Sequence, residues 1–192
     1  MRGNMKAVNL ASLFEESVQK HADRPVLIAD NQRITYKQLQ TAVSAVYQSL
    51  KKLGVQKGDK VAIMLPNIPE FVYYCFATFQ SGAVAVLLNT SSTPYELTYL
   101  LNNSDAKILV THPSGEKRYQ EIKDKLETCH TVLAVDPVKN HVAAEPEGAP
   151  GPLSTAIDPD DPAIMIYTAG LTGKPLGAVL THANLCSELD VV

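Results

Sequence analysis

The sequence has little aromatic character and no excess of basic charge. Its 192 residues include no tryptophan, and aromatic side chains make up 6% of the total. Lysine and arginine number 17 against 20 aspartates and glutamates, which gives a formal net charge of −3. Nucleic-acid-binding proteins usually present a clustered basic face, and those that hold single strands stack the bases on aromatic rings. The composition therefore argues against a nucleic-acid partner.

Cysteine is scarce, and long apolar runs are absent. The three cysteines, Cys75, Cys129 and Cys186, lie far apart and form no CxxC pair, so neither a disulfide framework nor a metal site is expected. No apolar run approaches the ~20 residues that a membrane helix requires. The N-terminal stretch "MRGNMKAVNL" also lacks the apolar core of a secretory signal. We expect a cytoplasmic protein without a membrane span.

The first sixty residues carry helical and hairpin patterns. Apolar spacing predicts an amphipathic helix over 10–21, and "VLIAD" and "RITY" flank "NQ" as a short hairpin. The sequence "TYKQ" has the form of a capping box at Thr35 and predicts a second helix. Gly54 stands where that helix would end.

Strands and helices then alternate. Apolar runs predict strands at 60–65, 83–88, 106–111 and 131–135, and the segments between them predict helices at 69–81, 93–103 and 116–127. Strands that are apolar throughout are typical of a parallel sheet covered on both faces. The pattern predicts an α/β fold with a mainly parallel βαβ sheet flanked by helices.

Residues 136–162 interrupt this pattern. They hold six of the twelve prolines and show no periodicity, which is typical of a linker or a functional excursion. We therefore divide the chain into a βαβ subdomain at 1–135, a proline-rich connecting loop at 136–162, and an incomplete unit at 163–192. That last unit is predicted to contain a strand, a glycine-rich loop, a second strand and the start of a helix.

The stretch "AIMIYTAGLTGKPLGAVLTH" (163–182) carries the candidate chemistry. Closely spaced glycines allow several backbone N–H groups to face one concavity, which favours an anion, and nearby hydroxyls and a lysine would add to it. The candidate phosphate-binding residues are Thr168, Gly170, Thr172, Gly173, Lys174 and Gly177. The alternative is a glycine-rich turn that holds no ligand. The segment matches neither Walker A nor the Rossmann GxGxxG pattern.

The segment "YTAGLTGKPLGAVLTHANL" resembles the signature YTSGTTGxPKG, with its following TH-x-N-L, of the adenylate-forming (AMP-forming) acyl-CoA synthetases. The resemblance is collinear from about residue 10 onward and includes "ITYKQLQ", "GVQKGDKVAIMLPNIPEF" and "TPYELTYLLNNSDAKILVT". It implies the fold of the N-terminal part of the family's large domain.

The resemblance also implies a reaction. Family members activate a carboxylate with Mg²⁺ and ATP to give acyl-AMP and pyrophosphate, and then transfer the acyl group to the thiol of CoA. The signature loop holds the departing pyrophosphate. The helices resemble those of fatty acyl-CoA ligases, which implies a long-chain fatty acid as the carboxylate, with aryl and amino acids as the alternatives. ATP, Mg²⁺ and CoA are therefore the implied cofactors and substrates.

Three positions depart from the family signature. Ala169 stands where the family usually has Ser, Leu171 where it has Thr or Ser, and Leu176 where it has Lys. Losing two hydrogen bonds to a charged group would cost about 3–5 kcal/mol of phosphate stabilisation. The family's remaining motifs, including the catalytic lysine, lie beyond the loop, so we assign no catalytic residue here and expect the 192-residue chain alone to be inactive. The alternative is a non-catalytic binding or assembly module. Where the family's further strands and domain would pack, we expect exposed apolar surface and therefore a tendency to form a homodimer.

Two further groups have two interpretations each. His182, which is part of the resemblance, is expected either to act at the site or to have a structural role in which it hydrogen-bonds the strand end. Four aromatic residues at helical spacing would line an acyl channel or pack in the core, and the spacing favours the core. They are Tyr73, Tyr74, Phe76 and Phe79.

Overall fold

A computed structural model describes residues 9–29, 32–136, 156–168 and 174–189. The helices are α1 (Leu10–His21), α2 (Tyr36–Lys52), α3 (Pro69–Gln80), α4 (Pro94–Asn103), α5 (Pro113–Ile122) and α6 (His182–Leu189). The strands are β1 (Pro25–Ala29), β2 (Gln32–Thr35), β3 (Lys60–Met64), β4 (Val84–Leu87), β5 (Ala106–Thr111), β6 (Thr131–Ala134), β7 (Pro162–Thr168) and β8 (Leu176–Thr181). A 3₁₀ turn, Lys123–Lys125, follows α5.

Local capping explains where several helices begin and end. Three helices start with a reciprocal capping box, α1 at Asn9, α2 at Thr35 and α4 at Thr93. In each, the cap side chain accepts from a backbone N–H that the helix itself leaves without a partner. After α2, Gly54 has a φ of 77°, a left-handed conformation that glycine adopts without strain. The predicted limits of α1 and α2 are confirmed.

Six strands form one sheet in the order β6-β5-β3-β4-β7-β8. The first five pair in parallel and β8 runs antiparallel to β7. Strands β1 and β2 form a separate antiparallel hairpin. The predicted α/β class with a mainly parallel sheet is confirmed. No helix of the described residues is both long and apolar enough to cross a membrane.

Each face of the sheet has its own core. Side chains of α1, α2 and α3 form one cluster with the strands, and those of α4 and α5 form the other. The four aromatic side chains of α3 belong to the first cluster, with Tyr73 and Phe79 buried and Tyr74 and Phe76 packed against it. Core packing is therefore their observed role. Burial is the main reason that the pKa of Tyr73 and the pKa of Tyr74 both rise to about 12.

One helix differs from its predicted range. The predicted helix 116–127 begins at Pro113, ends at Ile122, and continues only as the 3₁₀ turn. The His112 ring nitrogen accepts from the N–H of Ser114 (3.5 Å), and Pro113 takes the first helical position, where its missing N–H costs nothing. The predicted divisions at 135 and 162 remain a prediction. Residues 137–155 lie outside the described part of the chain, and β7 pairs with β4.

Candidate functional site

The candidate site lies at the carboxyl edge of the parallel strands. The connection from β3 crosses one face of the sheet through α3, and the connection from β4 crosses the other through α4. Such a reversal opens a crevice at the carboxyl ends of the two strands, where α/β proteins bind ligands. Strand β7 pairs with β4 in parallel, so its last residue, Thr168, lies at the same edge.

The loop of residues 169–175 joins β7 to β8 at this edge. Gly170, Thr172 and Gly173, like Ala169 and Leu171, lie outside the described residues. The other three candidates flank them, Thr168 on one side and Lys174 and Gly177 on the other. Strands are observed on both sides of this segment, as β7 and β8, and the phosphate role of the six residues remains a prediction.

Thr168 and Lys174 are both exposed. The hydroxyl of Thr168 donates to the carbonyl of Leu176 across the hairpin, over a long 3.4 Å. Among the described residues, Lys174 makes no ion pair and no hydrogen bond. Both groups are thus open to an anion in solution without first breaking a strong contact.

Gly177 lies close to two side chains of β7. It lies opposite Tyr167 in the β7–β8 pair. A Cβ at this position would lie 3.1 Å from the sulfur of Met165 and 3.4 Å from a ring carbon of Tyr167. Glycine therefore lets the Tyr167 ring lie close to the backbone of β8.

Two tyrosines connect the base of the loop to α4, and sequence analysis missed both. The hydroxyl of Tyr99 donates to the carbonyl of Pro175 (3.0 Å), and that of Tyr167 donates to Oδ1 of Asn103 (2.9 Å). Burial raises the pKa of Tyr167, so its hydroxyl keeps its proton. The available signal was the four-residue spacing of Tyr99 and Asn103, which puts both on one helix face.

His182 begins α6 and is completely buried. Its Nδ1 accepts from the N–H of Leu10 (3.3 Å), its ring packs edge-on against Phe79, and its Nε2 has no hydrogen-bond partner among the described residues. Burial lowers the pKa of His182, with Lys57 acting in the same direction and Asp161 opposing it. Of the two interpretations, the geometry supports a structural role, but the hydrogen-bond partner is the first residue of α1 and not the predicted strand end.

Charged and thiol groups elsewhere offer little to a metal. The described residues contain no group of three histidine, cysteine or acidic side chains that could hold an ion. Burial raises the pKa of Cys75 and of Cys129 to about 12, which keeps both thiols protonated. Glu70, in the first turn of α3, is buried, and within the described part of the chain one of its carboxylate oxygens has no hydrogen-bond partner.

Known proteins are similar to this chain in sequence and in fold. Triostin synthetase I from Streptomyces triostinicus is 32% identical over 86% of the chain and 32% of its own length. A long-chain-fatty-acid–CoA ligase from Escherichia coli O6:H1 is 28% identical over 96% of the chain and 38% of the ligase. The anthranilate CoA ligase AuaEII, solved with anthranoyl-AMP, superposes with a TM-score of 0.81 at 24% identity, covering 93% of this chain and 36% of that one.

The match to the family is wider than the glycine-rich loop. The chain spans about a third of the length of the curated relatives it matches. The family model for the AMP-binding enzymes matches residues 14–192. The resemblance stated from the sequence is therefore confirmed, and the chain belongs to the AMP-binding enzyme family.

Proposed function

We propose that this chain supplies the pyrophosphate-binding side of a site at which an acid–CoA ligase activates a carboxylate with ATP. The family implies ATP, Mg²⁺ and CoA in its full-length enzymes. Among carboxylates we propose a long-chain fatty acid, on the likeness to the fatty-acid ligases. Fatty acid metabolism and a cytoplasmic location belong to the same proposal.

One observation carries the proposal. Residues 169–175, which include Gly170 and Gly173, connect two strands at the carboxyl edge of a parallel sheet, beside the point where the connections reverse, and Gly177 follows in β8. A threonine hydroxyl and a lysine ammonium stand exposed at the two ends of this loop, Thr168 and Lys174. This combination of loop backbone, hydroxyl and cation suits a polyphosphate.

The described residues suit the phosphates of ATP better than they suit Mg²⁺. Thr168 and Lys174 would contact the β- and γ-phosphates of ATP, and the loop N–H groups would complete that contact. When ATP is bound, a carboxylate oxygen forms a bond to the α-phosphorus while the bond to pyrophosphate breaks. The cation and hydroxyl stabilise the charge that gathers on the departing pyrophosphate. The described residues include no acidic cluster for Mg²⁺, which would reach this site on the phosphates.

The three departures from the signature weaken this side of the site. Ala169 and Leu171 donate no hydroxyl, and Leu176, whose side chain is 62% exposed, offers an apolar surface where a cation is expected. The 192-residue polypeptide also corresponds to only a third of its relatives. We expect no acyl-AMP when it is incubated alone with Mg²⁺, ATP and a long-chain fatty acid. Acyl-AMP detected by mass spectrometry would contradict this expectation.

Calorimetry with inorganic pyrophosphate tests the binding role. We expect weak, salt-sensitive binding by the unmodified chain and about tenfold tighter binding by Leu176→Lys, since a hydrogen bond to a charged group contributes about 1.5–3 kcal/mol. The matched control is Val179→Lys, on the same strand and also exposed (46%), but paired with Met165 and so on the opposite face from Leu176. An equal gain from both variants, or no heat from either, would overturn the proposal.

A second candidate is an assembly module, favoured by the apolar surface of the β7–β8 hairpin. Ile166 and Leu176 are 38% and 62% exposed on one face of the hairpin, Val179 is 46% exposed on the other, and β8 lies at the end of the described sheet. Exposed edge strands with apolar side chains favour association, here as a homodimer. Light scattering should then show a dimer that Val179→Lys dissociates. A monomer at all concentrations would exclude this candidate.

A further inference from the structure

We propose that Tyr99 and Asn103 of α4 are positioning residues that hold the two strand ends from which the glycine-rich loop extends. This inference rests on the proposed pyrophosphate-binding role of that loop. The contacts that carry it are Tyr99 to Pro175 and Tyr167 to Asn103, called here the loop-base hydrogen bonds. They join residues 76 and 64 positions apart in the sequence.

The two bonds act on opposite ends of the loop. Tyr167 is the second-last residue of β7, directly before Thr168, and Pro175 directly precedes β8. Tyr99 and Asn103 are four residues apart on α4, which places them one helical turn apart on the same face. A single rigid helix therefore sets the positions of both ends relative to each other.

The surroundings restrict each partner. The Tyr167 hydroxyl also lies 3.4 Å from the carbonyl of Leu100, and its ring lies against Gly177, with Met165 beside it. Helix α4 is itself anchored, because Leu97 and Leu101 are completely buried in the core of that face. The packing of α4 and of the Tyr167 ring therefore holds these donors and acceptors within hydrogen-bonding distance.

Holding the loop ends has a consequence for anion binding. A loop that is ordered only when the anion arrives pays the ordering cost out of the binding free energy. Hydrogen bonds that exist before binding remove part of that cost, and they do so without touching the ligand. We therefore expect the loss of either loop-base hydrogen bond to weaken pyrophosphate binding, although neither Tyr99 nor Asn103 contacts the anion.

The two bonds differ in exposure, which ranks their effects. The bond from Tyr99 to Pro175 is partly buried, whereas Asn103 is exposed and competes with water for the Tyr167 hydroxyl. Tyr99→Phe should weaken pyrophosphate binding about fivefold, close to the net contribution of one hydrogen bond. Asn103→Ala should weaken it about twofold.

The test measures two properties of the 192-residue chain, pyrophosphate affinity by calorimetry and amide hydrogen exchange of residues 174–178. Tyr99→Phe and Asn103→Ala should speed exchange severalfold in that segment. Tyr95→Phe is the matched control. It removes a hydroxyl from the same helix, but Tyr95 is 84% exposed and makes no hydrogen bond among the described residues. Asn103→Asp, which keeps an acceptor oxygen for Tyr167, should restore slow exchange.

The two readouts separate the possible failures. If the unmodified chain binds no pyrophosphate, the proposed function fails. The positioning role would still be supported if amide exchange of residues 174–178 were faster in Tyr99→Phe but not in Tyr95→Phe. If Tyr99→Phe lowers the melting temperature while exchange and affinity match those of Tyr95→Phe, the residue is merely structural and the inference is overturned.

Discussion

Strands β5 and β8 belong to one sheet but differ sharply in burial. Five of the six residues of β5 are buried, and helices cover both of its faces. Four of the six residues of β8 are exposed and none is buried. The two strands have the same length and nearly the same apolar content, so sequence composition alone does not distinguish them.

The difference separates a scaffold from the element that carries the candidate chemistry. The central strands owe their positions to packing on two sides, which tolerates little change. The β7–β8 hairpin is held by its ladder, by the loop-base hydrogen bonds and by the burial of His182 at its far end. The hairpin therefore depends on a few specific contacts rather than on packing against both of its faces.

The largest effect is expected in the scaffold. Leu109 of β5 is completely buried, so Leu109→Ala should lower the free energy of unfolding by about 2–5 kcal/mol through lost burial and the cavity it leaves. Val179→Ala in β8, where the side chain is 46% exposed, should cost less than about 1 kcal/mol. Urea unfolding of both variants measures the contrast. Equal losses would mean that β8 is as tightly packed as β5.

The next effect concerns the buried end of the hairpin. Because burial lowers the pKa of His182 in the folded protein, the unfolded chain binds more protons below pH ~6.5. Stability should therefore fall as the pH drops from 7 toward 5, by at most about 1.4 kcal/mol per pH unit for this group. His182→Gln should flatten that dependence.

The control for this pH dependence is an exposed histidine. His130, which precedes β6, is exposed, and His130→Gln should leave the slope of stability against pH unchanged. Thermal unfolding at several pH values gives both slopes. The buried role of His182 would be wrong if the two variants behaved alike.

The smallest effect is expected at Gly177. An added Cβ there meets the flexible side chain of Met165 and the edge of Tyr167, so Gly177→Ala should change the free energy of unfolding by less than about 0.5 kcal/mol. Gly58→Ala provides the contrast. Its Cβ has open space but a φ of 84°, which should cost about 1 kcal/mol. If Gly177→Ala lowered the free energy of unfolding by much more than Gly58→Ala, the β7–β8 hairpin would be too rigid to accommodate the added methyl group.

Much of the fold was predictable because its signals are local. Capping boxes at Thr35 and Thr93 and a terminating Gly54 appear directly in the sequence, and the observed elements begin and end beside them. The α5 prediction was wrong at its start because Pro113 was not recognised as a first helical residue. The parallel sheet followed from strands that are apolar on both faces.

The site was less predictable because its contacts are distant in the sequence. Nothing near Tyr99 indicates that its hydroxyl reaches Pro175, and nothing near His182 indicates a partner in α1. The six phosphate-binding candidates came from glycine spacing and family resemblance. Three of them, Gly170, Thr172 and Gly173, lie outside the described residues, so their role remains a prediction.

The hydrogen bond between Leu10 and His182 has a consequence during synthesis on the ribosome. The two residues are 172 positions apart, so Leu10 is synthesised about 10 to 35 seconds before His182, whose imidazole accepts from its amide, at about 5–20 residues per second. Throughout that interval the first helix of the nascent chain lacks this partner. Its apolar side, which includes Phe14 and Val18, must find α2 and α3 first, and only the arrival of the last strand and helix completes its attachment.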